Sequence, residues 1–162
     1  MNKFHLIAVS LICCLGVIAF SNSLHNEFVH DDNFQIVRNP YLHSDQPISQ
    51  VLFSDVWGYQ SPGRGGISNY YRPLQMLTYR WIIQFVGLDP FVFHLVSLTF
   101  HLLATIMVYL LLWKLTGAYG ISLATCLLFT LHPIHTEAVS WIAGLTELGC
   151  AVFYFLSLWL FF

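Results

Sequence analysis

Charged residues are scarce in this chain, and their scarcity excludes most classes of protein. Asp, Glu, Lys and Arg make up 9% of the 162 residues and hydrophobic residues make up 57%, whereas soluble domains carry about 25% charged residues. A soluble globular domain is therefore excluded. The six Lys and Arg residues form no basic tract, so we expect no nucleic-acid partner. The composition predicts an integral membrane protein.

Cysteine patterns typical of disulfide frameworks or metal sites are also lacking. The four cysteines all lie inside apolar runs rather than in polar loops or at metal-ligand spacing. We therefore expect each to be a buried small hydrophobic residue. They are Cys13, Cys14, Cys126 and Cys150.

Apolar runs are the strongest positive feature. They predict membrane-spanning helices and an all-α integral membrane fold. A cleaved signal peptide is the alternative for the first run. The last run is still apolar at Phe162, which predicts that the chain is the N-terminal part of a longer membrane domain. The predicted spans are residues 4–20, 91–113, 119–131 and 148–162, and the outer loops are 22–90 and 132–147.

Residues 22–90 differ in kind from the rest. They hold six of the eight acidic residues, four of the six basic residues and five of the six prolines, so we expect a large aqueous loop outside the bilayer. A short helix is predicted at 47–53 and a mobile segment at Gly58–Ser68. A second helix is predicted from Pro73, with an apolar stripe along the membrane interface. The stripe consists of Leu74, Leu77, Thr78, Trp81 and Phe85.

One face of the second predicted span is polar. His94, Ser97, His101 and Thr105 recur at helical spacing, and imidazoles at membrane depth face a bundle interior or a wet cavity. A hydrogen bond to a neighbouring helix is the favoured role for His101, ahead of substrate contact. His94, nearer the outer end, fits either role.

Alternation of the spans places two acidic regions on the same side of the membrane. The loop with Asp31 and Asp32, the segment 132–147 and the beginning of the helix that carries His94 share that side. Adjacent side chains point in different directions, so one carboxylate for chemistry and one for architecture is the economical interpretation. For Asp32 the alternative is a capping box with Gln35.

Three residues of the second outer loop have side chains that bind metals. They are His132, His135 and Glu137. Their spacing matches no zinc pattern, and Pro133 interrupts any i, i+4 pairing. We therefore expect no metal and no cofactor there. Should Glu137–Gly144 be helical, a surface helix on the lipid interface is the alternative role.

Several motifs, taken in order, resemble one known family. They cover nearly the whole chain from residue 24 onward, and the match is to the transmembrane and tetratricopeptide-repeat-containing protein family. One motif alone would be weak, but their number, order and placement on the predicted topology make the set specific. The motifs are Asn26–Asp32 with Ile36–Asn39, Leu52–Gly58, Tyr71–Arg80, Gly87–Val96 and His132–Val139.

The resemblance implies a glycosyltransferase of the GT-C class, similar to protein O-mannosyltransferases. Such a protein is a multi-span helical bundle whose large first extracytoplasmic loop contains short interfacial helices. It transfers a sugar, here expected to be mannose, from a polyprenyl-phosphate carrier to Ser or Thr hydroxyls of proteins. Its partners are the lipid-linked donor, the protein acceptor and membrane lipids. The implied location is the endoplasmic reticulum membrane in a eukaryote, and the inner or plasma membrane in a prokaryote.

The resemblance also implies that the acidic residues of the first outer loop, Asp31 and Asp32, are catalytic. An inverting transfer needs a carboxylate that takes the proton of the acceptor hydroxyl, and Asp31 is the predicted base. Other groups must stabilise the departing phosphate. The predicted phosphate-binding residues are Arg72, His94 and His135, and Glu137 is predicted to orient the acceptor or hold an ion.

One position departs from the family's pattern. The chain reads Gly144-Leu145-Thr146-Glu147 where the resemblance implies an arginine before an acidic residue. Either Arg72 or a later part of the protein supplies that charge, or the activity has changed. The alternative functions are a transporter or channel subunit, and a catalytically degenerate structural membrane protein. A transporter would need polar residues to continue across the bilayer, whereas the polar stripe fades after Thr105.

The predicted topology can be tested by labelling. A cysteine placed near Ser61 in the full-length protein should react with a membrane-impermeant maleimide from the extracytoplasmic side, because the first large loop lies outside the bilayer. A cysteine in the turn at 114–120 is the control and should be protected until the membrane is permeabilised. Labelling of the Ser61 site only from the cytoplasm would overturn the topology.

Overall fold

A computed structural model describes residues 3–43, 45–60 and 68–162 of the chain. Within these ranges the regular secondary structure consists of helices and no strands, which confirms the predicted all-helical class. The chain forms two compact units: unit 1 combines residues 1–26 with 94–162, and unit 2 is 27–93. The α-helices are α1 (Lys3–Phe20), α2 (Ile48–Phe53), α3 (Pro73–Phe85), α4 (Pro90–Thr116), α5 (Tyr119–Leu131), α6 (Thr136–Ser140) and α7 (Leu145–Phe161).

Three helical segments are long and apolar enough to cross a membrane. They are Lys3–His25, Pro90–Thr116 and Ile142–Phe161, with 23, 27 and 20 residues. Helix α5 has the bounds of the predicted third span, but its 13 residues reach only about 20 Å. The hydrocarbon core is about 30 Å thick, so α5 is shorter than the bilayer that the other three helices match.

The helices of unit 1 alternate in direction. His5 lies near the start of α1 and Tyr109 lies near the end of α4. The His5 Nδ1 and the Tyr109 hydroxyl form a 2.8 Å hydrogen bond. Lys114 and Trp159, near the ends of α4 and α7, are joined by a 2.8 Å bond, so these two helices run parallel. One end of the unit therefore holds the beginning of α1 and the ends of α4 and α7.

Two apolar clusters form the interior of unit 1, one towards each end. Ala8 and Ile12 of α1 pack on Tyr109 and Cys126 in the first cluster. In the second, Phe20 packs on residues of α4, α6 and α7, namely Leu98, Val139 and Leu148. Helix α1 is thus packed into the bundle along its length.

The condition for the alternative surface-helix role is not met, because Glu137–Gly144 is not one continuous helix. Helix α6 ends at Ser140, Trp141 is extended (φ −103°, ψ 120°), and a short 3₁₀ turn covers Ile142–Gly144. The break lets the chain fold back on itself, because Gly144 lies against the backbone of Ala138. A Cβ on Gly144 would lie 3.0 Å from the Ala138 carbonyl oxygen.

The prediction that all four cysteines are buried is wrong. Cys126 is buried and its thiol donates to the Thr105 carbonyl at 3.0 Å, while Cys13 is half-buried. Cys14 and Cys150 are exposed on the outside of unit 1. In a membrane protein, a residue inside an apolar run need not be buried within the protein, because the helix faces that contact lipid are apolar as well.

Unit 2 contains the short helices predicted for the first outer loop. Helix α2 confirms the prediction at 47–53, and α3 begins at Pro73 as predicted. Leu74, Trp81 and Phe85 are 63%, 55% and 84% exposed, and form an apolar stripe along α3. Most of the segment predicted as mobile at Gly58–Ser68 lies outside the described residues.

Arg80 fixes the irregular first part of unit 2 onto α3. Its guanidinium is buried and donates to the carbonyl oxygens of Tyr41 at 3.1 Å and Gln46 at 2.6 Å. Tyr71 makes a similar contact through its hydroxyl, which donates to the Leu52 carbonyl at 2.7 Å. These bonds satisfy backbone acceptors that no regular helix satisfies.

The Gly144 contact predicts a sharp difference between two glycines. Gly144→Ala should lower the free energy of unfolding by about 1–3 kcal/mol, because its Cβ meets backbone atoms that cannot move aside. Gly149→Ala is the control, since its Cβ would meet only Phe100 at an ordinary 3.9 Å. Thermal melting of the full-length protein in detergent measures both. Equal melting temperatures for the two variants would contradict the close approach.

Candidate functional site

The acidic motif of unit 2 begins at a strained residue. His30 has φ +46°, the left-handed region, which costs a non-glycine residue about 1–2 kcal/mol. Asp31 and Asp32 follow at once and begin a helical turn that continues as a π-helix over Asn33–Val37. Strain of this kind persists only where surrounding contacts hold it, and it is common at functional sites.

Asp32 supplies those contacts. Its side chain is 0% exposed, and its Oδ2 accepts a 3.1 Å hydrogen bond from the Val29 backbone N–H. The Asp32 N–H in turn donates to the Val29 carbonyl at 2.9 Å. Asn33 adds a bond from its side-chain amide to the Phe28 carbonyl at 3.3 Å. The bonds between Asp32 and Val29 and between Asn33 and Phe28 thus close the turn around His30.

The alternative role for Asp32, a capping box with Gln35, does not occur. Asp32 already has helical backbone angles (φ −57°, ψ −39°) and makes no forward capping bond. Its carboxylate bonds backwards to Val29 instead. The physical reason is the turn at His30, which brings the Val29 N–H back towards the carboxylate.

Tyr79 and Gln75 of α3 belong to the surroundings of Asp32, and sequence reasoning missed them. Tyr79 is fully buried, and its hydroxyl accepts a 2.7 Å bond from the Gln75 side-chain amide. Burial raises the pKa of Tyr79; the bond from Gln75 and the charge of Arg72 lower it, and the charge of Asp32 raises it. Tyr79 therefore stays a neutral hydroxyl near neutral pH. The i, i+4 spacing of Gln75 and Tyr79 was the sequence pattern from which their contact could have been predicted.

Asp31 is placed differently from its neighbour. Its side chain is half-buried, and its carboxylate makes no hydrogen bond or ion pair with any residue that the structure describes. Arg72, also half-buried, lies with its guanidinium carbon 5.0 Å from the centre of the Tyr70 ring. Unit 2 thus presents one fixed carboxylate, one uncommitted carboxylate and a partly exposed cation.

The polar face predicted for α4 is confirmed in unit 1. His94, Ser97, His101 and Thr105 are all buried. His101 Nε2 lies 3.2 Å from the Thr130 carbonyl oxygen on α5, which confirms the predicted helix-to-helix hydrogen bond. Neither ring nitrogen of His94 nor the hydroxyl of Ser97 makes a hydrogen bond of standard geometry within the described chain, although the His94 ring interacts with the Asn26 backbone.

His135 lies in an aromatic cluster of unit 1. Its ring centre is 4.5 Å from that of Phe129, 5.3 Å from that of His101 and 6.5 Å from that of His132. Burial lowers the pKa of His135, and the neighbouring His132 lowers it further. Near neutral pH His135 is therefore a neutral imidazole, which can donate one hydrogen bond and accept another.

Glu137 and Leu145 complete the second outer loop. Glu137 is exposed in the first turn of α6. Leu145 is buried at the beginning of α7, so an apolar contact occupies the position where the resemblance implies an arginine. In the part of the chain that the structure describes, no group of three or more His, Cys, Asp or Glu side chains is placed to hold a metal ion.

Curated relatives match most of this chain. It is 38% identical over 153 residues to the protein O-mannosyl-transferase tmtc2 of Xenopus laevis, and 36% identical over 149 residues to the human protein O-mannosyl-transferase TMTC1. These alignments cover 94% and 90% of the chain. The chain belongs to the TMTC family. Human TMTC3 is a further relative, at 35% identity over 95% of the chain.

The chain spans less than a fifth of the length of these relatives, 18% of tmtc2 and 17% each of human TMTC1 and TMTC3. No family model matches this TMTC chain. No solved structure matches it either.

The contrast between the two aspartates predicts a contrast in stability. Asp32→Ala should lower the free energy of unfolding by about 1–3 kcal/mol, because the Val29 N–H loses its buried acceptor. Asp31→Ala should change it by no more than about 0.5 kcal/mol. Thermal melting of the full-length protein in detergent compares them. A larger loss for Asp31→Ala would show that the two roles are reversed.

Proposed function

We propose that this protein is a glycosyltransferase that moves mannose from a polyprenyl-phosphate carrier to Ser or Thr hydroxyls of proteins. The relatives are named protein O-mannosyl-transferases, and three segments of this chain are apolar and long enough to cross a membrane. The observation that carries the proposal is the pair of adjacent aspartates: Asp32 is buried in a strained turn, while Asp31 keeps a half-exposed carboxylate.

In the proposed reaction Asp31 is the general base. Its carboxylate takes the proton of the acceptor hydroxyl while the hydroxyl oxygen attacks the anomeric carbon of the sugar. The bond between that carbon and the phosphate oxygen breaks, and the phosphate leaves with the electron pair. The configuration at the anomeric carbon inverts. Such base assistance contributes about 10²–10⁴-fold in rate. Asp32 is the positioning residue, because it holds the turn that presents Asp31.

The departing phosphate gains negative charge, and donors that face it lower the barrier. We assign this role to Arg72 in unit 2, whose guanidinium can hold two phosphate oxygens at once. His94 and His135, which lie in unit 1, remain predicted phosphate-binding residues. His94 is supported by its two ring nitrogens, which make no hydrogen bond of standard geometry within the described residues. Glu137, exposed on α6, would orient the acceptor or hold an ion.

The same proposal fixes location and partners. The lipid-linked donor requires a bilayer, and the acceptor is a protein with accessible hydroxyls. The relatives come from Xenopus laevis, human and mouse, so we assign the protein to the endoplasmic reticulum membrane as a multi-pass protein, with the reaction on the luminal side.

A catalytically degenerate membrane protein is the second candidate, and Leu145 favours it. This side chain is buried where the resemblance implies an arginine, and an arginine buried there would need hydrogen-bond partners. In the proposed enzyme Arg72 supplies the missing charge. A transporter is less well supported, since His101 is committed to a bond with the Thr130 carbonyl.

Transfer of radiolabelled mannose from polyprenyl-phosphate mannose to an acceptor protein tests the assignment in the full-length protein. Asp31→Asn should lower the rate by about 10²–10⁴-fold, because the amide cannot take the proton. Asp45→Asn is the matched control, since Asp45 is exposed, and its rate should stay within about twofold. Unchanged transfer by Asp31→Asn would refute the base, while no transfer by the wild-type protein would favour the degenerate alternative.

A further inference from the structure

A groove at one end of unit 1 plays no part in the proposed transfer reaction. It is an open groove of about 510 Å³ between the last turn of α4 and Trp159 of α7. Sites that hold small ligands measure about 300–1,000 Å³, so the groove accommodates a phosphate headgroup and the first carbons of a lipid chain. The residues that line it are Leu110, Trp113, Lys114, Gly117 and Trp159.

Lys114 provides a fixed cation on this groove. Its ammonium donates to the Trp159 carbonyl at 2.8 Å and lies 4.8 Å from the centre of the Trp159 ring. An ammonium carries three N–H donors. Within the described chain only one of them is used, so two remain for the oxygens of a bound anion.

The walls of the groove are apolar and aromatic. Trp113 is 41% exposed, and Leu110 and Trp159 line the groove with it. Tryptophan is enriched where membranes meet water, because its ring is apolar and its N–H is polar. A cation beside two indoles therefore suits a molecule with an anionic head and an apolar tail.

The charged residues of unit 1 are separated by sign between its two ends. Its two Lys or Arg residues, Lys3 and Lys114, both lie at the end with the groove, since the His5 and Trp113 rings are in contact, with centres 4.1 Å apart and planes tilted by 57°. Its two acidic residues, Glu137 and Glu147, lie at the opposite end, on α6 and at the beginning of α7. The groove end is thus complementary to an anionic membrane surface.

We propose that this groove binds an anionic phospholipid. The phosphate contacts the Lys114 ammonium, and the first part of the acyl region lies between Trp113 and Trp159.

Native mass spectrometry of the full-length protein tests the proposal, with phosphatidylglycerol and phosphatidylcholine of identical acyl chains as probes. The wild type should retain phosphatidylglycerol in preference to phosphatidylcholine. Lys114→Gln should weaken phosphatidylglycerol binding about fivefold, and Lys114→Arg should preserve it. Lys3→Gln removes the same charge at the same end but outside the groove, and should change binding less than twofold.

Leu110→Trp keeps the test decisive should Lys114→Gln disturb the fold, because it fills the groove without changing charge. It should reduce the retention of phosphatidylglycerol. The melting temperature is measured alongside, because Leu110 also packs against the cluster of Ala8, Ile12, Tyr109 and Cys126. Equal retention of the two lipids by the wild type would overturn the proposal. So would wild-type binding by Leu110→Trp, or equal losses for Lys114→Gln and Lys3→Gln.

Discussion

The hydrogen bond from the Val29 backbone to the buried carboxylate of Asp32 is the constraint on which the acidic motif depends. A carboxylate removed from water is tolerated only when it is hydrogen-bonded, so this bond fixes the turn and offsets the strained backbone at His30. Asp32 is committed to this bond, whereas Asp31, one residue earlier, has a half-exposed side chain and no partner among the described residues. Two chemically identical neighbours thereby acquire different environments.

Unit 1 is organised by a different constraint, the short length of α5. Helix α5 ends beside His101, which lies about 16 Å along α4 from Pro90. The segment after α5 therefore begins level with His101, and His135 packs near the His101 ring. The chain then has to turn back sharply, and the contact of Gly144 with Ala138 permits it. Histidines on α4 and in the second outer loop are neighbours as a consequence.

Much of this fold follows from local pattern, and the exceptions share one cause. The start of α3 at Pro73 and the role of His101 were predicted because proline placement and helical spacing are properties of short segments. The direction of the Asp32 bond and the break at Trp141 depend on contacts made after the chain folds. Apolar composition likewise cannot distinguish a face towards protein from one towards lipid, which is why the exposure of Cys14 was missed.

The difference between the two aspartates is measured most directly by carboxyl footprinting of the native full-length protein. Carbodiimide and glycine ethyl ester modify carboxylates that solvent reaches, and tandem mass spectrometry separates adjacent positions. The account predicts that Asp31 reacts at least about tenfold faster than Asp32, which is buried and bonded to Val29, and that inactivation follows modification of Asp31. Faster modification of Asp32, or full activity after Asp31 is modified, would contradict it.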